Sequence, residues 1–389
     1  MRVVVTGLVA TYPVGGATWD YLQYVQGFRA LGCDVVYLED TGQWLYDPAA
    51  GTFTDDAAPN ARYLGDALAS LDPGLADAWS LRGPDGTHHG LDAAAVARAC
   101  AAADLFLNVS GACWLREPYR AARVTAYVDT DPGYSQAKLV AVDEGVADES
   151  TRYSVDLIRR HDVFFTLGEE IGRPGCAIPD AGLIWHTTRQ PIALANWPLR
   201  AAPDGPFTTV MSWKIEPRPP AVGGRTYGGK DVEFERFIDL PARTSETLEV
   251  AISGAAPHER IAAAGWRVRD AYSVSATMTA YRDYILGSRG EVSIAKNVYV
   301  ALRSGWFSTR TAAYLACGKP AVVQDTGFGA HVPPGPGLHA FRTVDDALAA
   351  LAAIRADYPR ACRHARELAE TYFRAETVCH RILVDAGLA

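Results

Sequence analysis

The residues best suited to chemistry lie in the stretch Ser293–Gly329, around the start of a short predicted helix. The first N–H groups of a helix have no partner inside it and carry a partial positive charge, which suits a phosphate. A cation is electrostatically unfavourable at this helix end, so Arg310, in the first turn, indicates an anionic partner. The helix dipole contributes about 0.3–2 kcal/mol, whereas micromolar binding of a nucleotide requires about 8 kcal/mol. A further cation is therefore needed, and Lys296 precedes the helix. We predict that this stretch binds a diphosphate.

The same stretch has a second interpretation as an ordinary helix–strand unit of a Rossmann-type sheet, with Arg310 in solvent. Ser308 is typical of an N-cap, because its hydroxyl can accept a bond from a free N–H group of the next turn. Thr309–Cys317 has apolar residues at helical spacing, and Gly318 stands where a left-handed residue ends a helix. Pro320–Gln324 is typical of a buried strand. The position of the arginine favours the diphosphate interpretation.

The composition limits the classes of function. A chain of 389 residues fits two domains of ordinary size, and 49% hydrophobic residues are enough for large cores. The net charge of −8 disfavours nucleic acid and anionic membranes as partners, and no apolar run reaches the length of a membrane span. Seven cysteines without a C-x-x-C pair predict free thiols in a reducing compartment. Because a strand is predicted from the first residues, leaving no room for a signal peptide, we expect a cytoplasmic protein.

The chain divides into two halves that each alternate strands and helices. We predict an N-terminal, acceptor-binding domain over residues 1–200 and a C-terminal, nucleotide-binding domain over residues 205–375. The predicted linker is Pro198–Pro206, a segment rich in proline that contains one glycine. The last segment, residues 376–389, is predicted as a helix that packs back on the N-terminal domain.

The predicted strands place a cleft between these halves. The opening strand–loop–helix–strand unit, with strands Arg2–Thr6 and Asp34–Glu39, is Rossmann-like, but it lacks G-x-G-x-x-G and does not indicate a nicotinamide cofactor. Glu39 and Asp40 end the second strand, where a ribose-binding carboxylate stands in dinucleotide sites. Without the glycine motif we expect them in solvent instead. Later strands also end in small or polar loops, beyond which ligands bind in parallel α/β sheets. The predicted fold class is α/β, with two Rossmann-like domains facing each other across a cleft.

Two segments give the sequence a family resemblance. The loop Tyr12–Gly16 (YPVGG), together with GWFSTRTAAYLACGKPAVVQDTG, resembles the corresponding parts of GT-B-fold glycosyltransferases. LACGKPAVV resembles the helix–glycine–strand step after the donor-binding helix, and YILGSRGEVSIAKN resembles the donor-site segment of bacterial members related to the spore-maturation type. Those members carry an arginine at the helix start, where this sequence has Arg310. The resemblance covers most of the chain. It implies the GT-B fold and sugar transfer from a UDP-, dTDP- or GDP-sugar to a small molecule, without a cofactor.

One departure from the family bears on the sugar and the stereochemistry. Retaining members often place two glutamates seven residues apart across the donor-binding helix, and here Trp306 and Ala313 take those positions. The resemblance therefore predicts neither a retaining outcome nor a particular sugar, and leaves hexosyl and deoxysugar transfer open. The excess of arginine over lysine is typical of a GC-rich genome and favours a natural-product acceptor.

The donor site needs cations and N–H donors for the leaving diphosphate, and hydrogen-bonding groups for the sugar. Lys214 and Lys230 flank a loop rich in proline and glycine, with solvated lysines as the alternative. Gln324 and Asp325 end the strand after the helix, where they can bond sugar hydroxyls or form a turn. The predicted donor-binding residues are Ser212, Lys214, Lys230, Lys296, Ser308, Thr309, Arg310, Thr311, Gln324 and Asp325.

A general base for the acceptor hydroxyl is expected in the first half. Asp20 follows the pair of glycines in the first helical turn, where it also suits the helix dipole without any catalytic role. Asp131 lies beyond a strand end and before a proline, which holds it extended, and Glu169 is placed similarly. His161 and His186 are further candidates, with structural roles as the alternative.

Asp129 and Asp131 also form a D-x-D pair, the manganese-diphosphate motif of the other major glycosyltransferase fold. Matches of three residues arise often by chance, and no second group of metal ligands supports this one. We predict that the protein uses no metal ion.

Aromatic residues near the first-half loops indicate a stacking surface for a ring-bearing acceptor, although Trp19 suits a hydrophobic core equally well. The predicted acceptor-binding residues are Tyr12, Gly15, Gly16, Trp19, Trp114 and Tyr134. Two other functions stay open at this point. A nucleotide-sugar epimerase of the same architecture would convert its substrate without an acceptor, and a non-catalytic nucleotide-binding protein would not need the three carboxylates.

Overall fold

The computed structural model describes residues 1–213 and 219–389, which form two α/β lobes. The strands of the N-terminal lobe are β1 (Arg2–Thr6), β2 (Asp34–Glu39), β3 (Leu45–Asp47), β4 (Thr52–Thr54), β5 (Trp79–Arg82), β6 (His88–Gly90), β7 (Leu105–Val109), β8 (Val124–Asp129), β9 (Val163–Thr166) and β10 (Trp185–Thr187). Its helices are α1 (Gly15–Ala30), α2 (Ala58–Leu71), α3 (Ala93–Ala101), α4 (Tyr134–Asp143) and α5 (Glu149–Arg159).

The main sheet of this lobe has the strand order β10-β9-β8-β7-β1-β2-β5-β6. All its neighbouring strands run parallel except β6, which pairs antiparallel with β5 at the edge. The central strand β1 carries three fully buried valines, because helices cover both faces of a parallel sheet. The chain leaves β1, β7, β8 and β9 at the same sheet edge, so the loops after these strands gather on one side of the lobe.

The C-terminal lobe is built on the same plan. Its strands are β11 (Phe207–Ser212), β12 (Ala221–Val222), β13 (Arg225–Thr226), β14 (Leu248–Ser253), β15 (Arg267–Asp270), β16 (Gly290–Ser293), β17 (Ala321–Gln324) and β18 (Leu338–Phe341). The helices are α6 (Lys230–Phe234), α7 (His258–Ala263), α8 (Ala271–Ser275), α9 (Met278–Gly287), α10 (Asn297–Ala301), α11 (Thr309–Ala316), α12 (Val344–Ala356), α13 (Tyr358–Tyr372) and α14 (Ala375–Asp385). The main sheet is parallel, in the order β15-β14-β11-β16-β17-β18. The strand order therefore reverses direction between β11 and β16, where ligands bind in open α/β sheets.

The two lobes pack against each other beside α1. Trp19 is buried there, its indole N–H donates to the carbonyl of Met278 at the start of α9 (3.0 Å), and its ring lies 4.9 Å from that of Trp197. The last helix, α14, packs against α1, and its Cys379 lies so close to Gly27 that no side chain larger than hydrogen fits at Gly27. The ends of the chain are thus joined through one shared core.

The predicted strands β1 and β2 have the observed bounds, and the predicted strand Pro320–Gln324 corresponds to β17, which begins one residue later. The expectation for the end of β2 is wrong. Glu39 and Asp40 are fully buried: Glu39 accepts bonds from the backbone of Ala10 and Thr11, and Asp40 binds Arg116. These carboxylates fix the loops of the lobe rather than face water. None of the helices in the described residues combines the length and the apolar character needed to cross a bilayer.

Candidate active site

The start of α11 lies in the cleft and faces the N-terminal lobe, with Arg310 directed into its own lobe. The guanidinium of Arg310 donates to the buried carboxylate of Glu291 (2.5 Å), to the carbonyl of Val210 (2.6 Å) and to the hydroxyl of Ser293 (2.8 Å). Arg310 is therefore neutralised inside the protein. The predicted need of Arg310 for an external anion is wrong, because the Glu291 carboxylate in β16 already pairs with its guanidinium.

The hydroxyl groups of Ser308, Thr309 and Thr311, at the start of the same helix, have three different surroundings. Ser308 is the N-cap residue of α11, with an extended backbone, but its hydroxyl makes no capping bond, so that predicted interaction is wrong. Thr311 is fully buried, and its hydroxyl has no partner in the part of the chain that the structure describes. Thr309 is half-buried and directs its hydroxyl across the cleft toward Asp20 of α1.

Asp20 lies at the bottom of the cleft, between the two lobes. Its side chain is open to solvent, but the surrounding protein displaces much of the water that would stabilise its charge. This burial raises the pKa of Asp20 to about 7, although the Thr309 hydroxyl and the charge of Arg310 act in the opposite direction. A carboxylate with a pKa near neutrality can accept a proton at one step and release it at another.

Lys230 begins α6 and directs its ammonium into the same cleft. Burial, followed by the neighbouring charges of Arg310 and Lys296, holds the pKa of Lys230 well below its usual range. Within residues 1–213 and 219–389, the Lys230 ammonium has neither a hydrogen-bond nor an ion-pair partner. The folded protein therefore holds a cation here whose charge its own structure disfavours.

Lys296 and Asp131 meet across the cleft. Lys296 lies just after β16 in the C-terminal lobe, and its ammonium is 2.7 Å from a carboxylate oxygen of Asp131, which follows β8 in the N-terminal lobe. The hydroxyl of Tyr299 donates to the same oxygen. Burial raises the pKa of Asp131, but Lys296 and these hydrogen bonds outweigh it and hold the pKa below its usual range.

These residues form what we term the cleft cluster: Asp20, Asp131, Lys230, Lys296, Thr309 and Arg310. Its cations come from three separate segments of the C-terminal lobe, around the point where the strand order reverses. Two of them are matched, since Arg310 binds Glu291 and Lys296 binds Asp131. Lys230 is the cation of the cluster without a direct partner in the described residues, so it can bind an anion.

Glu169 belongs to a second group of charges between the lobes, which we term the bridging cluster: Glu169, Glu170, Arg189 and His331. Arg189 donates two bonds to the buried carboxylate of Glu169, at 2.7 and 2.8 Å. His331, from the C-terminal lobe, lies 2.6 Å from Glu170. Both carboxylate oxygens of Glu169 thereby accept bonds from Arg189, so neither oxygen is free to accept a proton from a substrate hydroxyl.

The remaining predicted donor residues are dispersed. Ser212 ends β11 and accepts a bond from Ser253 of the neighbouring strand (3.1 Å). Gln324 is buried and already bonded through both amide atoms, to Ala295 and Glu233. Asp325 accepts from the backbone of Gly327 and pairs with an exposed arginine, as a turn residue does. Lys214 lies outside the described residues.

The predicted acceptor residues fall into three groups. Trp19 is part of the core, and Gly15 lies so close to the carbonyl of Thr277 that it serves helix packing, with Gly16 next to it against the ring of Tyr281. For these three residues, an acceptor-binding role does not fit their positions. Tyr134 lies in the cleft, with the ammonium of Lys296 4.6 Å from its ring centre.

Tyr12 and Trp114 lie at the rim of the N-terminal lobe. Tyr12 is half-buried and contacts the rings of Tyr46 and Phe53 on the β3–β4 hairpin. Trp114 is also half-buried and packs edge-on against Tyr153. Both residues are therefore accessible from solvent through aromatic surfaces rather than sealed in the core.

The D-x-D pair does not act as a unit. Asp129 is buried and binds Ser135, Gln136 and Thr166, whereas Asp131 turns to Lys296. In the described ranges, no three His, Cys, Asp or Glu side chains are grouped so that they could hold a metal ion. His161 is buried between Asn108 and a backbone carbonyl, and burial lowers its pKa to about 4, so it is a structural residue.

Sequence reasoning missed two residues that shape the site. Glu291 is a carboxylate inside the buried segment GEVS, and a charged residue in such a strand signals a buried partner. Tyr299 reaches Asp131 from the other lobe, and no pattern in the sequence marks that contact. A cavity of about 510 Å³ beside α6 was not anticipated either. Its lining includes Trp213, Asp231, Val232, Glu235, Ala256 and Pro257, near the carboxyl ends of β11 and β14.

Neither a protein-family model nor a curated relative matches the sequence. Solved structures do match the fold over the whole chain. The Anabaena protein HepE in complex with UDP-glucose has a TM-score of 0.57 at 12% identity, covering 100% of both chains. An alpha-glucosyltransferase in complex with UDP and a 13-mer DNA has a TM-score of 0.55 at 10% identity, covering 100% of this chain and 99% of that one. A sucrose-phosphate synthase from Thermosynechococcus elongatus has a TM-score of 0.54 at 13% identity, covering 98% and 97%. The chain has the GT-B glycosyltransferase fold, as predicted.

Proposed function

We propose that this protein is a glycosyltransferase that transfers a sugar from a nucleoside diphosphate sugar to an acceptor hydroxyl. The observation that carries the proposal is Lys230, a cation without a partner in the described residues, held between the charges of Arg310 and Lys296. The GT-B fold supports it, since the solved structures of similar fold include complexes with UDP and UDP-glucose.

The electrostatics favour a diphosphate as the ligand of the cleft cluster. Holding an ammonium in a site that lowers its pKa costs folding free energy unless an anion offsets it. A diphosphate ester carries two negative charges on adjacent phosphorus atoms, so it can contact Lys230 and a second cation together. The charge that accumulates on the leaving group during transfer is stabilised by the same cations, which makes the arrangement useful in the transition state.

We assign the nucleoside end of the donor to the cavity beside α6. Lys230 and Asp231 are consecutive in α6, so the diphosphate position and the cavity lie side by side. Two carboxylates, Asp231 and Glu235, line the cavity and would repel phosphate, whereas Trp213 and Pro257 offer apolar surface to a ring. In this arrangement the nucleobase lies in the cavity, the diphosphate at Lys230 and the sugar toward Asp20.

The reaction then requires one bond exchange and one proton transfer. The bond between the anomeric carbon and the diphosphate oxygen breaks, and its electron pair stays on the diphosphate. The acceptor oxygen forms the new bond to the anomeric carbon, and its proton passes to a base. We assign the base to Asp20, because its pKa of about 7 suits proton acceptance at neutral pH. Asp131 is less basic, since Lys296 stabilises its charged form.

We propose a small ring-bearing molecule, such as a natural product, as the acceptor. Tyr12, Tyr46 and Phe53 form an aromatic group on the rim of the N-terminal lobe, and Trp44 beside them is 58% exposed. Exposed aromatic rings bind planar apolar rings by stacking. The loop that carries Tyr12 leads directly into α1 and Asp20, so an acceptor held at this rim reaches the base.

Two measurements test the proposal. Thermal-shift and calorimetric titrations with UDP, dTDP and GDP should show micromolar binding of at least one of them. Incubation of the matching sugar nucleotides with ring-bearing alcohols should release nucleoside diphosphate only when an acceptor is present. Conversion of the sugar nucleotide alone would instead indicate an epimerase. Absence of binding by all three diphosphates would contradict the proposal.

A further inference from the structure

Asp131 and Lys296 form an ion pair at the proposed diphosphate site. The ammonium of Lys296 is one of the cations that a donor needs, yet it is paired with a carboxylate of the opposite lobe at 2.7 Å. The two partners differ in exposure, because the Asp131 side chain is 49% exposed and that of Lys296 only 17%. The anion of this pair is therefore the partner that solvent, or a ligand, can replace.

The cation is fixed by its surroundings. The Lys296 ammonium lies 4.6 Å from the ring centre of Tyr134 and 5.5 Å from that of Tyr299, distances at which aromatic faces stabilise a cation. The Tyr299 ring is itself stacked on Trp306, with ring centres 4.4 Å apart. Lys296 thus has aromatic contacts in addition to its ion pair with Asp131.

The turn that carries the carboxylate follows the end of β8. Its backbone is held by bonds from Trp306 to the Thr130 carbonyl (3.1 Å) and from Tyr134 to the Asp131 carbonyl (3.1 Å), and the Thr130 hydroxyl is 2.7 Å from that of Ser110. The Asp131 carboxylate can leave Lys296 by rotation of its side chain, with these bonds kept, when another anion takes over the contact.

We infer that Asp131 is an internal competitor of the donor, and that its carboxylate occupies the position of one phosphate group between Lys296 and Tyr299 until the diphosphate displaces it. The inference rests on the proposed function, since it names a competitor for the same diphosphate site. The Asp131 carboxylate also offsets the positive charge of Lys296 when no donor is bound.

This exchange selects for a diphosphate. At neutral pH a nucleoside monophosphate carries a charge of about −1.5 to −2 on one phosphorus centre, so it can replace the carboxylate at Lys296 but places no second phosphate near Lys230. A diphosphate replaces the carboxylate at Lys296 and places its second charge near Lys230, a contact that Asp131 does not make within hydrogen-bond distance. Nucleoside monophosphates should therefore bind much more weakly than the corresponding diphosphates.

The test is a gain of affinity in Asp131→Asn. The amide keeps the shape of the side chain but removes the competing charge, so the full-length variant should bind UDP, dTDP or GDP about 3–10-fold more tightly than the wild-type protein in calorimetry. Inorganic pyrophosphate should show a gain of the same size, because it lacks the nucleoside. Glu144→Gln is the matched control, an exposed carboxylate at the far end of α4 that should leave the affinity unchanged.

A double-mutant cycle separates competition from a general change in charge. Lys296→Met should weaken diphosphate binding in both backgrounds, and the fold loss should be larger in Asp131→Asn, where the carboxylate of Asp131 no longer competes for the ammonium. Equal losses in the two backgrounds would overturn the inference. Thermal unfolding of each variant without ligand shows whether it is folded.

The outcomes also separate this inference from the proposed function. If the wild-type protein binds a nucleoside diphosphate and Asp131→Asn binds it equally or more weakly, the competitor is refuted and the transferase stands. If neither protein binds any of the three nucleoside diphosphates, both proposals fall.

Discussion

The two lobes are joined across the cleft by two groups of charged residues that are built in different ways. In the bridging cluster, Glu169 is 8% and His331 10% exposed, and Arg189 satisfies both oxygens of Glu169. In the cleft cluster, Asp131 is half-exposed and Lys230 has no partner in the described ranges. Removing one partner from a buried, fully paired group leaves an uncompensated charge and destabilises the fold, whereas a partly open group with an unpaired cation is suited to a ligand.

The different surroundings of the three candidate carboxylates indicate which of them suits the role of general base. The sequence places Asp20, Asp131 and Glu169 alike, each near the start of a helix or the end of a strand. In the structure, Glu169 is bound by an arginine and Asp131 by a lysine. Asp20 bonds the hydroxyl of Thr309 and lies near the charges of Arg310, Asp131 and Lys230. We therefore propose three separate roles: a structural bridge for Glu169, a competitor for the donor for Asp131 and a base for Asp20.

The largest effect is expected for Asp20→Asn. The amide cannot accept a proton, so kcat should fall by at least about 100-fold, while nucleoside diphosphate binding should not weaken. Steady-state release of nucleoside diphosphate in the presence of acceptor measures the first quantity, and calorimetry the second. A variant that keeps most of its activity would show that the base lies elsewhere in the cleft.

Glu169→Gln should give the opposite result. Removing the charge leaves Arg189 without its partner at a largely buried position, so the free energy of unfolding should fall by about 2–4 kcal/mol. Because we assign the donor to the cleft cluster, the affinity for nucleoside diphosphate should change by less than about twofold. Urea unfolding and calorimetry measure the two effects. Unchanged stability together with a large loss of turnover would reverse the roles of the two clusters.

The pH dependence of turnover should follow Asp20. Below its pKa of about 7 the carboxyl is protonated and cannot act as a base, so kcat/KM should rise about tenfold per pH unit up to that value and then level off. The residual activity of Asp20→Asn should lack this rise, which separates the titration of Asp20 from that of other groups. A flat profile for the wild-type protein between pH 5.5 and 8 would exclude Asp20 as the base.

Much of the fold follows from local patterns. Strands such as β1 are apolar runs, fully buried over Val3–Val5, and Gly318, with φ +68°, ends α11 where the sequence predicts a left-handed residue. These features depend on neighbours in the sequence, so a single chain is enough to locate them. The cleft between two α/β halves follows from the same reasoning, because each half has its own set of parallel strands.

The site was only partly predictable, because its contacts join distant segments. Arg310 and Glu291 meet only because β16 and α11 pack together, and no local spacing shows that the arginine is neutralised. A tryptophan such as Trp19 can stack on a ligand ring or pack in a core. Its position on the buried face of α1 places it in the core, and the sequence alone does not show this. Lys230 could be named from the sequence as a candidate, whereas its lack of a partner in the described residues is visible only in three dimensions.

The most direct measurement compares nucleoside diphosphate binding by Lys230→Met and by Lys138→Met, an exposed lysine on α4, with the wild-type protein. Methionine keeps the apolar length of the side chain and removes the charge. Since a hydrogen bond to a charged group contributes about 1.5–3 kcal/mol, Lys230→Met should weaken binding by about 10-fold or more in calorimetry, and Lys138→Met should not. Equal affinities for all three proteins would contradict the account, because the unpaired cation of the cleft would then not be a diphosphate site.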